Sequence, residues 1–207
     1  MGGARLGASR WAAVLLLAVT AAQASEPEVT QLMENYWRAY ARSDFVAAAE
    51  FIDPRDLGAL KEGLLPLFLT AADSKNVNVQ PLVKAFFTGT PPRKRKEMSA
   101  AQVFAGTNFM MRELNPDVFG QLHQSAIQVT KVALPGDGTA VVEYIVRLPD
   151  TEVADVDRAN LHEGRWYLRT KDLPADTIER YRKFLGLDYE MGPEVKLSPT
   201  DEDSLRE

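Results

Sequence analysis

The spacing of the apolar residues changes once along this chain, near His123, and that change limits the fold more than any other feature. Before it, bulky apolar residues return every three or four positions; after it they alternate. Helices therefore come first and an antiparallel meander second. That order defines an α+β protein, with N-terminal helices packed on a curved antiparallel sheet of three to four strands and a C-terminal helix.

The helical half divides at recognisable punctuation. A first helix is predicted from Glu28 to Arg42, with Val29, Leu32, Met33, Tyr36, Trp37 and Tyr40 on one stripe. Asp44 is a good cap for a second helix, Val46 to Ile52, which stops at Asp53-Pro54 because the residue before proline disfavours helix. A third stretch carries Leu57, Leu60, Leu64, Leu65, Leu67 and Phe68, and Pro66 predicts a kink or a break in it. Residues 71–79 read as a loop, Leu82 to Phe87 as a short buried helix, and Thr88 to Lys96 as a second loop. Ser99 is placed to cap the next helix, and Pro116 to open a short one after it.

In the second half, Ile127, Val129 and Val132 begin a strand, and Asp137-Gly138 is a hairpin signal. Residues 140–148 alternate strongly, 152–162 weakly, and Glu163-Gly164 turns the chain into a last strand at Arg165 to Arg169. Pro174 opens a final helix that Gly186 can end. The charged stretch 188–207 reads as a mobile acidic tail.

The N-terminus supplies an address. Arg5 and Arg10 precede a short apolar run, Trp11 to Val19, and Ala22-Gln23-Ala24 is an A-x-A cleavage site. Residues 1–24 therefore read as a signal peptide cut after Ala24, and residues 25–187 as one exported domain. The run is too short to span a bilayer, and no second run of spanning length follows. The chain has no cysteine, so disulfides, thiol nucleophiles and thiolate metal sites are excluded. Cysteine-free export fits a bacterial periplasm, or a secreted protein large enough to do without bridges. The formal net charge of −5 at pH 7 argues against nucleic acid as the main partner.

Several pieces of the sequence, taken together, carry a family resemblance. An aromatic-rich first helix ends in Arg42-Ser43-Asp44-Phe45, a short helix follows to Asp53-Pro54, and the meander closes on Gly164-Arg165-Trp166-Tyr167-Leu168. Over residues 28–52 and 125–170 the chain resembles the nuclear-transport-factor-2-like, cystatin-like cone superfamily. Residues 57–122 are longer and more helical than a minimal member. The resemblance implies a sheet wrapped around the first helix, a conical cavity, and in many members pairing of two copies through their sheets. It also implies that Tyr36, eight residues before Asp44, occupies the position of a cavity tyrosine that stabilises an oxyanion in the isomerase branch. The carboxylate base of that branch falls on Leu60, which cannot accept a proton, and Asp56 is the nearest acid.

Three functions stay open on the sequence. The first is a binding domain without catalysis, for a small apolar ligand or an envelope protein, with Tyr36, Tyr40, Tyr144 and Trp166 lining the pocket. The second is an isomerase- or cyclase-type enzyme that uses a cavity tyrosine. The third is an envelope interaction module acting through the basic run Arg93, Lys94, Arg95 and Lys96. Asp155 and Asp157, two apart on a strand, face one side; they can bind calcium, serve acid–base work, or guard a sheet edge against pairing. His123 and His162 have no zinc-motif spacing, and neither a nucleophile elbow nor a phosphate loop occurs, so no metal or cofactor is expected.

Overall fold

A computed structural model of the chain describes residues 26–74, 76–170 and 174–187. The expected signal peptide, residues 1–24, and the expected acidic tail, residues 188–207, lie outside the described residues.

Helix α1 (Glu26–Ala41) buries Val29, Leu32 and Met33. A left-handed Ser43, φ 59°, turns the chain, and the Asp44 carboxylate accepts the Ala47 N–H at 3.2 Å to start α2 (Phe45–Ala49). This helix is shorter than the expected Val46 to Ile52. Ile52 instead forms a parallel bridge with Leu168, the Asp53 N–H donating to the Leu168 carbonyl at 2.8 Å. Ile52 is β-branched and suits extended backbone, and Asp53 is already committed as the next cap.

Helix α3 (Pro54–Asp73) starts where the Asp53 carboxylate accepts the Arg55 N–H at 2.9 Å, with Pro54 in its first turn. It runs unbroken through Pro66, where a kink or a break was expected. Pro66 and Glu62 are both exposed, so the carbonyl that loses its donor to the ring faces water. Helix α4 (Gln80–Phe86) follows.

The basic run is a 3₁₀ helix, Pro92–Glu97, where a loop was expected. Pro91 and Pro92 set its backbone, and the Arg95 guanidinium lies 4.4 Å from the centre of the Phe87 ring. Helix α5 (Ala100–Leu114) opens with a capping box in which Ser99 and Gln102 satisfy each other's backbone N–H. Helix α6 (Pro116–Leu122) completes the helical half.

The meander is a four-stranded antiparallel sheet in the order β1 (Ala126–Ala133), β2 (Thr139–Arg147), β3 (Glu152–His162), β4 (Arg165–Leu168). The weakly alternating stretch is its longest strand. Glu163 and Gly164, both at positive φ, make the tight β3–β4 turn. Helix α7 (Pro174–Phe184) ends the described fold. Among the described residues no helix is long and apolar enough to cross a membrane.

One face of the sheet is buried. Ala140, Val142, Tyr144 and Val146 of β2, Ala159 of β3, and Trp166 and Leu168 of β4 pack with Val29, Leu32 and Met33 of α1. A second apolar cluster joins α3, α4, α5 and α7, centred on the Phe68 and Phe86 rings stacked at 3.7 Å. A third gathers Phe45, Ala105, Phe119 and Leu122 around the C-terminal end of α1. Between the sheet and this helical layer, the C-terminal half of α1 borders a cavity.

Candidate functional site

The cavity is open to solvent on one side and has a volume of about 530 Å³. Tyr36, Trp37 and Tyr40 of α1 form one wall, Phe104 and Asn108 of α5 another, and Leu60 and Leu64 of α3 a third. The sheet contributes Tyr144 and Val146 from β2 and Val153, Asp155 and Asp157 from β3. Arg169 and Thr170, just past β4, and Thr177 and Tyr181 of α7 close it.

Local periodicity explains how these groups meet. Tyr36 and Tyr40 are one helical turn apart, so their rings lie on the same side of α1, with centroids 5.6 Å apart. Asp155 and Asp157 are two apart on β3 and share the inner face. The register pairs Tyr144 with Asp155 and Val142 with Asp157. The Tyr144 hydroxyl reaches the diagonal neighbour and donates to Asp157 Oδ2 at 2.8 Å.

Other polar groups are held in fixed roles. The Tyr40 hydroxyl donates to Asn108 Oδ1 at 2.9 Å, and Asn108 Nδ2 donates to the Phe104 carbonyl at 2.8 Å. Trp37 Nε1 donates to Ser125 Oγ at 3.0 Å. Arg169 turns towards Asp56: its Nε and Nη2 donate to the two carboxylate oxygens at 2.7 and 2.9 Å, and the Thr170 N–H adds a third bond at 3.0 Å. Asp56 is thereby spent as an anchor and does not reach the cavity as a base. The Tyr36 hydroxyl, in contrast, has no hydrogen-bond partner among the described residues.

The phenols are kept protonated. Burial, with smaller contributions from Tyr40 and the negative Asp157, raises Tyr36 well above the ordinary tyrosine range. Burial first, then the Asp157 charge and its hydrogen bond, raises Tyr144. Tyr40 is pushed up to about 12, chiefly by burial, and burial raises Tyr181 as well. Each of these hydroxyls is a hydrogen-bond donor at neutral pH.

Of the residues expected from sequence to form the pocket, Tyr36, Tyr40 and Tyr144 come together, with Leu60 beside them. Trp166 does not join them. It lies in a separate groove of about 470 Å³ with Pro27, Leu32, Phe51 and Arg165. Trp166 and Leu168 share a sheet face, but Leu32, one turn before Tyr36, sits against the groove. The N-terminal half of α1 therefore meets Trp166, and its C-terminal half meets the cavity. Arg93, Lys94, Arg95 and Lys96 border neither space. Arg93, Lys94 and Lys96 are exposed, whereas Arg95 is folded onto Phe87 with its Nε buried. His123 and His162 are likewise outside both, and among the described residues no cluster of three potential metal ligands occurs.

Sequence reasoning passed over Asn108, Arg169, Thr170 and Tyr181 as site residues. Tyr181 had a signal, its place on the apolar side of the last helix; the other three had none. Comparison of the chain with protein-family models, with curated proteins and with solved structures finds no match.

Proposed function

We propose that this is an exported binding domain of the cone-shaped nuclear-transport-factor-2-like type, which takes up a small, mainly apolar molecule between α1 and the sheet. One observation carries the reading: a cavity of about 530 Å³ has apolar walls and a few polar groups converging at Tyr36, Tyr144 and Asp157. Volume and chemistry of this kind are those of small-molecule sites. Among the described tyrosines of the lining, the Tyr36 and Tyr181 hydroxyls are donors left for a ligand, while the Tyr40 and Tyr144 hydroxyls are held by the protein. A leader cut after Ala24 sends the domain out of the cytoplasm, and the N-terminus of the native protein should then be Ser25.

The test is titration with an apolar fluorescent dye, N-phenylnaphthylamine. The wild type should bind one dye per chain. Leu60→Trp, which puts an indole into the cavity, should weaken binding by at least about tenfold while the unfolding transition stays cooperative; each 1.4 kcal/mol of lost contact is tenfold. Equal binding by the two proteins would show that the dye sits elsewhere, and no binding by the wild type would end the reading.

A second reading has one observation in its favour. Asp157 puts a carboxylate on the cavity wall and acts electrostatically on Tyr36, which is the pairing an isomerase- or cyclase-type proton transfer needs. Tyr144 weighs against it, because a carboxylate that already accepts a hydrogen bond at 2.8 Å is a weaker base. Solvent deuterium entering the position next to a cyclic ketone's carbonyl, lost in Asp157→Asn, would favour catalysis; exchange at the background rate discards it.

A further inference from the structure

We infer that the 3₁₀ helix Pro92–Glu97 is a docking face for an anionic membrane surface, with Arg93, Lys94 and Lys96 set against lipid phosphates. The face is separate from the cavity and from the Trp166 groove, whose linings contain none of these residues.

The helical form turns a run of charges into a face. A 3₁₀ helix has three residues per turn, so side chains three apart lie above one another. Arg95 and, just past the helix, Met98 turn inward: Met98 is buried, and the Arg95 guanidinium lies 4.4 Å from the centre of the buried Phe87 ring. Arg93 and Lys96 share a second side, one turn or about 6 Å apart along the axis. Lys94 and Glu97 share the third. Arg93, Lys94, Lys96 and Glu97 are all exposed.

Among the described residues, no carboxylate comes within ion-pair distance of Arg93, Lys94 or Lys96. Elsewhere Arg55, Lys131, Arg147 and Arg169 are each paired with one. Like charges held one turn apart repel each other, so the arrangement costs stability until an anion covers it. The chain has a formal net charge of −5, which makes the run a local positive spot on an acidic protein. Its shape selects among anions. The run is a ridge bordering neither cavity nor groove, so it offers no cradle for a single small anion. Phe87, the ring beside it, is 3% exposed and lies under Arg95, so bases have no aromatic surface to stack on. A membrane needs neither feature. Its phosphates form a plane that three cations meet from one side, while salt screens the acidic remainder of the protein beyond roughly 10 Å.

The experiment sediments the full chain with vesicles of phosphatidylcholine alone and with vesicles in which about a third of the lipid is phosphatidylglycerol. Each Lys or Arg near such a surface contributes about fivefold. With Glu97 and the net negative charge opposing, the anionic vesicles should still bind the wild type at least about tenfold more tightly than the neutral ones. Arg93→Gln/Lys94→Gln/Lys96→Gln removes only exposed cations and leaves Arg95 on Phe87; it should unfold at the wild-type temperature and lose that preference. Arg42→Gln/Arg182→Gln/Lys183→Gln makes the same change in net charge at exposed positions elsewhere and should keep it. Equal binding of the wild type to both vesicles, or an unchanged preference in the first variant, overturns the inference. Equal losses in the two variants assign binding to net charge and overturn the face. Release by inorganic phosphate beyond that caused by sodium chloride of equal ionic strength marks a small-anion site. Tighter binding of a single-stranded oligonucleotide than of the anionic vesicles, at equal phosphate concentration, marks a nucleic-acid site. Either result overturns the membrane assignment. The wild-type comparison of the two vesicles decides the matter even where the first variant does not fold.

Discussion

Asp56→Ala is the substitution that most directly tests the tie between α3 and the end of the sheet. The carboxylate is 4% exposed and accepts from Arg169 twice, at 2.7 and 2.9 Å, and from the Thr170 N–H at 3.0 Å. It ties the first turn of α3 to the chain just past β4, 113 residues away. Removing one partner of a buried, hydrogen-bonded pair costs about 3–5 kcal/mol. Here the Arg169 side chain is 37% exposed, so its charge can return partly to water and the loss is smaller. The Thr170 N–H, left without its acceptor, adds about 1 kcal/mol. The expected destabilisation is about 2–4 kcal/mol, a fall in Tm of roughly 10 °C for a chain of this size. Asp56→Asn keeps an acceptor for Thr170 and should lose about half as much. Urea unfolding of Asp56→Ala, Arg169→Ala and the double variant measures the coupling directly, expected at about 1–3 kcal/mol. A single variant within about 0.5 kcal/mol of wild type, or a coupling near zero, would mean the pair behaves as an ordinary surface contact and the anchoring argument is wrong.

Two further expectations come from packing and from the phenols. Gly106→Ala should destabilise by about 1–3 kcal/mol, because an added Cβ would lie 2.5 Å from the Phe86 carbonyl oxygen, and that overpacking exceeds the roughly 1 kcal/mol gained in helix propensity. Gly58→Ala in α3 meets nothing within 4 Å and should gain about 1 kcal/mol; thermal unfolding of the two variants should move in opposite directions. Tyr36, Tyr40, Tyr144 and Tyr181 all have raised values in the folded state, so the stability they confer is fully present below the ordinary tyrosine pKa of about 10 and is lost as pH rises through the folded values. Phenolate absorbance followed beside circular dichroism should show these four ionising only as the fold is lost; full ionisation of all six tyrosines with native dichroism would contradict their burial.

What could be read in the sequence was local. The Asp44 and Ser99 caps, the stripe from Val29 to Tyr40 and the Glu163-Gly164 turn depend on neighbours within a few positions, and each is in the structure as expected. What was misread depended on which side of an element meets water. Pro66 stays inside α3 because its ring is on the exposed side. The basic run is helical because two prolines open it and Phe87 offers a ring to Arg95. Contacts across long separations, such as Arg169 to Asp56, left no periodic trace at all.

Asp155 and Asp157 are the instructive case, since spacing alone put both on one face and offered two meanings for them. Edge protection was set against calcium binding or acid–base work, yet an edge position and an inward-facing side chain are defined in perpendicular directions. An edge is defined in the plane of the sheet, by which backbone groups lack a neighbouring strand; β3 pairs with β4 from Ala159 to His162 and the Arg169 N–H donates to the Arg158 carbonyl at 2.8 Å, so among the described residues Glu152 to Asp157 has its strand pairing with β2 alone. Lining is defined along the normal to the sheet, by which side chains point inward. The register with β2 decides that, because Tyr144 and Val142, buried opposite Asp155 and Asp157, set the inner face. A strand at an edge can therefore carry its charges into a cavity, and the alternation of β2, already visible in the sequence, held the information needed to say which way they point.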